Sequence, residues 1–519
     1  MQDIIIRGGM IADGTGGRLF RGDVAVCDGK ITRIGDLTGE QAKETLDASG
    51  LIVAPGFIDS HAHSDTCFAR DGSCASKLYQ GVTTEISGQC GLSPFPALAD
   101  RLDREEAWQA ESFDAFVRRF EKSGLGMAVN QAMLVGHGQL RAGVMGCEDR
   151  APSDEELSEM KRLLRRDLDA GAWGMSLGLE YSPGFFAGAD ELGALGEVVA
   201  GYGGLIPCHM RSEGLMIDEA IDELITVGRA SGAHVHISHL KVDNFRVHGR
   251  AGEIWQKIEA AQRAGVNLTA DMYPFVASST TLTIRCPKWS QDGGGQAVVD
   301  FLKGPRRQDV IEGIRSHYFS RERAKTCLFS DDAGFWPQIV GKTLDQVAEE
   351  LLGTDDYAEA AAEVLIRTQG KASCIFFVMS EEDMLYFLAQ DVGIGSDGYS
   401  LPGDPQKVGF RPHPRSYAAI AEFFRLAREK KLCPLEEAVR RVTSKPADMI
   451  GLKDRGRLKV GYAADITVFD AEKFAPRATY LSPVALAEGV RHVVIGGGVA
   501  LRDGVQTDAR CGQFLRKAR

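Results

Sequence analysis

Apolar residues along the chain fall into short runs that alternate with longer, mostly amphipathic stretches. Eight of the runs are rich in β-prone residues, and helix-like segments lie between them. This alternation predicts parallel strands joined by helices, and eight repeats predict a (β/α)8 TIM-like barrel. The eight predicted strands lie within residues 51–59, 81–87, 128–136, 172–179, 204–210, 234–240, 266–274 and 391–398.

One helix between the strands can be delimited from the sequence. In segment 152–171, Ser153 and Glu156 have the spacing of a capping box, in which each residue binds the backbone N–H of the other. Gly171 is placed to end the helix, because glycine readily adopts the left-handed conformation found after a last turn. The sequence therefore predicts a helix between Ser153 and Gly171.

Two parts of the chain depart from the alternation. Segment 286–370 is long and locally polar, which predicts an insertion between the seventh and eighth strands, and we expect it to form a mobile lid over the catalytic end. Both termini hold short strands with Gly and Asp turns, which predict an antiparallel β-sandwich built from both ends. The expected segments are sandwich 1–56, barrel 57–285, insertion 286–370, barrel completion 371–450 and sandwich 451–519.

Composition and charge narrow the classes of partner. The 519 residues are 44% hydrophobic and 25% charged, which is ordinary for a soluble globular protein. A formal net charge of -12 disfavours binding to nucleic acid or an anionic membrane. No run is long enough to span a membrane, and the start lacks a signal-peptide pattern. Eleven cysteines without a C-x-x-C pair favour a reducing compartment, so we expect a cytoplasmic protein with a small-molecule substrate.

Residue types that bind metals follow several of the predicted strands. Asp59, His61 and His63 follow one another at intervals of two residues at the end of the first strand, so their side chains are expected to point the same way. Barrel enzymes gather their active-site groups at the C-terminal ends of the strands. Imidazole, thiolate and carboxylate ligands together favour zinc, and a surplus over four ligands favours a catalytic site over a structural zinc in a scaffold. The residues that end other strands are Cys90, His209, His239 and Asp397.

Eight short motifs carry a family resemblance. They are, in chain order, PGFIDSHAHSD, GVTTEISGQCG, SLGLEYSPG, HMRSEG, ISHLK, DMYPFVASST, IGSDG and HPRSY. Together they resemble the amidohydrolase superfamily and, within it, the N-acyl-D-amino-acid deacylases, or D-aminoacylases. The stretch GRLKVGYAADITVFD resembles the segment that closes the sandwich in the same superfamily. The resemblance covers almost the whole chain and is weakest over 286–370.

The resemblance implies a zinc-dependent hydrolase of N-acyl-D-amino acids, and the D-stereochemistry comes from the resemblance alone. The residues that match a tight zinc site are Cys90, His209 and His239, and those that match a weaker second metal site are His61, His63 and Asp397. Many amidohydrolases bridge two metals with a carboxylated lysine on the fourth strand. The fourth strand here, 172–179, has no lysine, so Cys90 would supply the bridging or anchoring anion.

The chemistry of amide hydrolysis and the same resemblance assign further residues. Asp397 would border the water on the metal and could take its proton and then protonate the leaving amine. The residues that match binding positions for the substrate α-carboxylate are Tyr181, Lys241 and Arg415, and those that match other polar contacts are Tyr273 and Ser279. A solvated surface charge is the alternative for Lys241 and Arg415.

Arg285 bears on the choice of substrate. In relatives that prefer apolar substrates, this position is usually a leucine. A buried guanidinium needs an anionic partner, which could be the side-chain carboxylate of D-glutamate or D-aspartate. The alternatives are an Arg285 that pairs with a protein acid or points to solvent.

Two other enzyme classes compete with this interpretation. Another amidohydrolase reaction, such as cyclic-amide hydrolysis, is disfavoured by the missing lysine on the fourth strand. A serine hydrolase would use Ser176 in GMSLG, a formal G-x-S-x-G. That motif requires a helix directly after the serine, whereas LEYSPGFFAG contains a proline and several glycines.

Overall fold

The apolar runs form strands where the pattern predicts them. The computed structural model describes residues 1–97 and 108–518. The described strands are β1 Gln2–Ile11, β2 Phe20–Cys27, β3 Lys30–Gly35, β4 Ala42–Asp47, β5 Ile52–Pro55, β6 Phe57–Asp59, β7 Val82–Ser87, β8 Asn130–Met133, β9 Val135–Gly136, β10 Met175–Gly178, β11 Leu205–His209, β12 His234–Ile237, β13 Leu268–Met272, β14 Ser278–Thr281, β15 Cys327–Asp331, β16 Ser373–Phe376, β17 Gly393–Ile394, β18 Ile466–Phe469, β19 Val490–Ile495, β20 Gly498–Arg502 and β21 Val505–Gln506.

The predicted (β/α)8 barrel is confirmed. Parallel pairs join β6 to β7 and β8, and β9 to β10, β11, β12, β13 and β17 in that order. The strands β8 and β9 lie on either side of Leu134 and together form the third strand of the barrel. The barrel closes where Ala62 pairs in parallel with Gly398. The C-terminal ends of all eight strands therefore lie on one face.

Amphipathic helices surround the barrel. At the start of the helix α5 (Asp154–Asp169), Ser153 and Glu156 form the predicted capping box, and Gly171 follows the helix with a φ of 102°. No helix among residues 1–97 and 108–518 combines the length and apolar character needed to cross a membrane. The helices are α1 Cys67–Arg70, α2 Ala75–Leu78, α3 Phe113–Lys122, α4 His137–Met145, α5 Asp154–Asp169, α6 Ala189–Gly201, α7 Ile217–Ser231, α8 Ala251–Arg263, α9 Gly295–Lys303, α10 Arg307–Arg315, α11 Arg321–Ala324, α12 Leu344–Gln346, α13 Tyr357–Arg367, α14 Glu381–Ala389, α15 Arg415–Glu429, α16 Leu435–Arg441 and α17 Ser444–Ile450.

Both termini contribute to one β unit, as predicted. Its nine strands follow the order β21-β20-β19-β18-β5-β1-β2-β3, with β4 also on β1. The expectation of a wholly antiparallel unit is wrong along one side of β1, which runs parallel to both β4 and β5. After the β2–β3 hairpin the chain crosses to the free edge of β1, and such a crossover produces parallel pairing.

The insertion between β13 and β17 has a core of its own. Its sheet pairs β14 and β15 with β16, and its helices are α9 to α13. Side chains such as Val298, Phe329 and Leu365 are fully buried in this core. The range 286–370 lies within the segment that runs from β14 to β16. The insertion leaves the barrel at the C-terminal end of β13, which is the face that carries the candidate ligands. The domain bounds and the mobility of the insertion remain predictions.

Candidate active site

The predicted metal-binding residues converge at the C-terminal face of the barrel. The Sγ atom of Cys90 lies 3.4 Å from His61 Nε2, 3.3 Å from His239 Nε2 and 3.8 Å from His209 Nδ1. Ligand atoms of His61, Cys90, His239 and Asp397 all lie within 4.8 Å of one another. All of these side chains are buried. The fold therefore brings together residues that are up to 336 positions apart in the sequence.

Three of these residues have an unusual backbone conformation. Cys90, His239 and Asp397 have φ values of 54°, 40° and 50°, in the left-handed region that non-glycine residues rarely adopt. The surroundings fix these conformations: Asp271 Oδ1 accepts from His239 N at 2.6 Å, and the carbonyl of His61 accepts from Asp397 N at 2.7 Å. Such strained residues concentrate at functional sites.

Two carboxylates orient the histidines. Glu180 Oε2 lies 2.9 Å from His209 Nε2, and Glu213 Oε1 lies 2.9 Å from His239 Nδ1. Each carboxylate accepts the hydrogen on one ring nitrogen, so the lone pair of the other nitrogen faces Cys90. The sequence analysis did not identify Glu180 or Glu213 as site residues. Both stand inside the quoted motifs, and Glu213 follows His209 by four positions.

Cys90, His209 and His239 have the spacing of a zinc site. A tetrahedral zinc with ordinary bond lengths sets two nitrogens about 3.3 Å apart and a nitrogen and a sulfur about 3.6 Å apart. Here the two nitrogens are 3.1 Å apart, and the sulfur lies 3.3 and 3.8 Å from them. The donor set and its outer carboxylates therefore fit this ion.

A second group of donors adjoins the first. His63 Nε2 lies 3.0 Å from Asp397 Oδ1, and His61 Nε2 lies 3.6 Å from the same oxygen. The outer nitrogen of His61, Nδ1, is buried without a hydrogen-bond partner among the described residues. The group could hold a second ion beside Cys90. No carboxylate of the described residues orients His61, which favours weaker binding.

Asp59 belongs to a different network from the one its strand position suggests. Alternation along the strand predicts that Asp59 points to the same side as the two histidines, but its carboxylate pairs with Lys77 Nζ at 2.7 Å. It also accepts from the backbone N–H groups of His61 and Ser396 at 3.2 and 2.8 Å. This fully buried pair therefore joins the ends of the first and eighth barrel strands near His61 and Asp397.

A cavity of about 1310 Å³ opens above the cluster. Of the twelve site residues predicted from the sequence, eleven line this cavity and His61 lies beneath it. The ring of Tyr181 packs against His209 with their centroids 4.6 Å apart. The hydroxyl of Tyr273 is buried without a hydrogen-bond partner among the described residues, and Ser279 belongs to β14 at the cavity wall.

The two cations nearest the cluster are already paired. Lys241 Nζ lies 2.6 Å from Glu213 Oε2, and a guanidinium nitrogen of Arg415 lies 2.8 Å from Asp397 Oδ2. Both residues are buried, which excludes the alternative of solvated surface charges. Burial disfavours the charged form of Asp397, but Arg415 and His239 outweigh it and hold its pKa well below the usual value.

Arg285 differs from these cations. Its guanidinium lies over the ring of Phe376, 4.6 Å from the centroid, and it lines the cavity. Among residues 1–97 and 108–518, no side chain or carbonyl forms a hydrogen bond or an ion pair with this guanidinium. The described side chains thus leave this cavity-facing charge available to a ligand, which disfavours the alternative of pairing with a protein acid.

The end of the fourth strand has no room for a side chain. A Cβ built on Gly178 would lie 2.0 Å from the carbonyl oxygen of Cys90. A lysine cannot project from Gly178 because the backbone of the loop after β7, at Cys90 and Gly91, lies against it. Nearby, Ser176 is fully buried, and its hydroxyl accepts from Gly91 N at 3.0 Å. It does not line the cavity, so the serine-hydrolase alternative gains no support.

Comparisons with known proteins agree with this geometry. A model of the amidohydrolase family matches residues 44–281 and 396–500. N-acyl-D-glutamate deacylase of Alcaligenes xylosoxydans xylosoxydans is 35% identical over 99% of this chain and 96% of its own. D-aminoacylase of the same organism is 34% identical over 99% and 98%. The crystal structure of N-acyl-D-glutamate deacylase from Bordetella bronchiseptica, complexed with zinc and a phosphonate mimic of the tetrahedral intermediate, is 32% identical and covers 99% of both chains with a TM-score of 0.83.

Proposed function

We propose that this chain hydrolyses N-acyl-D-amino acids to a carboxylate and a free D-amino acid, because it belongs to the amidohydrolase family and, within it, to the N-acyl-D-amino-acid deacylases. The chain is thus a metal-dependent hydrolase. The observation that carries the proposal is the convergence of Cys90, His209, His239 and Asp397 at the floor of one cavity.

Cys90, His209 and His239 hold one zinc ion tightly in this proposal. Their spacing and the two outer carboxylates, Glu180 and Glu213, support the assignment. When bound there, zinc supplies Lewis acidity toward an amide carbonyl and a water molecule. His61 and His63, with Asp397, form the weaker second site.

Asp397 moves the proton during hydrolysis. Its low pKa keeps it ionised, so it can accept a proton from the attacking water as the oxygen bonds to the acyl carbon. It then gives the proton to the amide nitrogen as the C–N bond breaks and the amine leaves. Arg415 fixes the carboxylate through one oxygen, and the other oxygen faces His61 and His63.

Arg415 and Tyr273 bind the α-carboxylate of the substrate. Arg415 lies over the ring of Tyr273, 4.8 Å from its centroid. Within the described parts of the chain, the hydrogen bond of its second terminal nitrogen is a long one, 3.5 Å to the carbonyl of Ser279. The Tyr273 hydroxyl supplies a further donor. Lys241 contributes positive potential from its pair with Glu213, and Tyr181 borders the same space.

Arg285 selects substrates with an acidic side chain. It lines the cavity and has no ionic partner among residues 1–97 and 108–518, whereas a leucine there would suit apolar substrates. A carboxylate of D-glutamate or D-aspartate supplies the missing partner as a charge-assisted hydrogen bond.

The test compares N-acetyl derivatives of D-glutamate, D-aspartate, D-leucine and D-methionine, with L-enantiomers and metal content measured on the same sample. The wild type should prefer the acidic D-substrates. Arg285→Leu should reverse the order by about 30-fold or more, since removing one partner of a desolvated charge pair costs ~2–5 kcal/mol. Arg70→Leu, at another wall of the cavity, is the matched control. A wild type that favours D-leucine and is unchanged by Arg285→Leu contradicts the acidic preference.

A further inference from the structure

A second charged side chain faces the end of the cavity that Arg285 occupies. Asp243 follows β12 and lines the same cavity. Its backbone N–H donates to the carbonyl of Glu213 at 2.9 Å, which anchors the loop. Its carboxylate has no hydrogen bond or ion pair with any residue that the structure describes. Asp243 and Arg285 influence each other electrostatically, yet they do not pair.

The loop after β11 leaves room for this carboxylate. A Cβ built on Gly214 would lie 2.6 Å from Asp243 Oδ1 and 3.1 Å from Asn244 Cβ. Any larger residue at 214 would therefore displace the Asp243 carboxylate. Glu180, which acts on Asp243 electrostatically, belongs to the metal-binding end and is engaged by His209. Among the described residues, the Asp243 carboxylate is therefore the acceptor left beside Arg285.

Arg285 and Asp243 thus offer one pocket a donor and an acceptor that no described residue engages, and the two are complementary to a ligand group that both accepts and donates. We propose, building on the proposed function, that Asp243 and Arg285 together recognise the side-chain carboxamide of N-acyl-D-glutamine or N-acyl-D-asparagine as an additional substrate class. The amide oxygen accepts from Arg285, and the amide NH2 donates to Asp243. Hydrolysis breaks the N-acyl bond, so water and N-acetyl-D-glutamine give acetate and D-glutamine, and the side-chain amide stays intact.

Asp243 acts in opposite directions on the two substrate classes. The side-chain carboxylate of an acidic substrate binds Arg285 but is repelled by Asp243. The side-chain carboxamide forms a hydrogen bond with each of the two residues. An unsatisfied polar group in a pocket is what usually separates two such similar ligands. The ratio of kcat/KM for N-acetyl-D-glutamine to that for N-acetyl-D-glutamate therefore reports on Asp243.

The experiment measures this ratio for the wild type, Asp243→Ala and Asp243→Asn. Asp243→Ala should lower the ratio by about tenfold or more, because the amide loses a charged acceptor and the acid loses a repulsive neighbour. Asp243→Asn should shift it in the same direction but less, since the new amide can still accept. Asp71→Asn, which removes a charge from another part of the cavity wall, should leave the ratio unchanged.

Two further results complete the test. Gly214→Ala, which crowds Asp243 Oδ1, should reproduce the fall in the ratio without a change at Asp243 itself. An unchanged ratio in Asp243→Ala, while the wild type hydrolyses N-acetyl-D-glutamate, overturns the inference and leaves the proposed function standing. Hydrolysis of none of these D-substrates by the metal-loaded wild type overturns the proposed function, on which the inference rests.

Discussion

The two ends of the cavity treat charge in opposite ways. At the metal-binding end, His209 pairs with Glu180, Lys241 with Glu213, and Arg415 with Asp397. At the far end, the guanidinium of Arg285 and the carboxylate of Asp243 line the wall without hydrogen bonds or ion pairs in the described parts of the chain. The charged groups of the metal-binding end are paired within the protein, whereas those of the far end face the cavity.

This difference separates two requirements of an enzyme. Groups that hold a metal and move protons must be oriented before substrate arrives, and internal partners provide that orientation. Groups that distinguish substrates gain specificity if the correct ligand supplies their missing partner. Substitutions at the metal-binding end should therefore cost metal or rate, whereas those at the far end should change which substrate is preferred.

The largest effect is expected at Cys90. Cys90→Ala removes the one thiolate in the cluster, so zinc should be lost on dialysis and kcat/KM should fall by ~1000-fold or more, since metal catalysis contributes several kcal/mol. Elemental analysis and an activity assay on the same sample measure both effects. Cys67→Ala, which lies in the cavity wall outside the cluster, is the control. Full zinc and full activity in Cys90→Ala would falsify the ligand assignment.

A change at Asp397 should separate rate from metal binding. Asp397→Asn cannot accept the proton of the attacking water, and kcat should drop by ~100-fold or more, as expected for a general acid–base group. The tight zinc should remain, because Cys90, His209 and His239 do not depend on this side chain. Steady-state kinetics and zinc analysis of the same sample measure kcat and the zinc content. A loss in kcat below about tenfold would show that another group carries the proton.

A smaller effect should follow from removing an outer carboxylate. Glu213→Gln keeps the size of the side chain but weakens the orientation of His239, and zinc affinity should fall by ~10- to 100-fold. Competition with a chromophoric chelator measures the affinity. Glu219→Gln, on the exposed side of α7, is the matched control and should bind zinc normally. Equal affinity in both variants would remove the distinction drawn between the two ends of the cavity.

The smallest effect concerns pH at the far end. Burial, followed by the negative charges of Glu180 and Glu213, raises the pKa of Asp243 to about 6. The positive charges of Arg285 and Lys241 oppose this shift. Below that pH, Asp243 is neutral and does not repel an acidic substrate; above it, the repulsion is present. The ratio of kcat/KM for N-acetyl-D-glutamate in the wild type to that in Asp243→Asn should therefore fall several-fold as pH rises through about 6, which corresponds to about 1 kcal/mol. A constant ratio between pH 5 and 8 would contradict this assignment.

Much of the fold and the donor set could be predicted from the sequence. Periodicity is local, so the eight strands and the helix capped by Ser153 were visible in short windows of sequence. In a parallel barrel, the C-terminal ends of the strands must share one face, so residues such as Cys90 and Asp397 could be placed together without a structure. The same rule gave the position of the insertion, because it leaves the barrel from that face.

Tertiary structure decided which partner each charged group has. Alternation along the strand did not show that Asp59 pairs with Lys77, or that Glu180 and Glu213 orient the histidines. Nor did composition distinguish Lys241, which pairs with Glu213, from Arg285, which has no ionic partner among the described residues. The sequence by itself determined the types of side chain and the strands that carry them, because these depend on local patterns. Pairing depends on distances of a few ångströms between residues far apart in the chain, and only the folded packing fixes those distances.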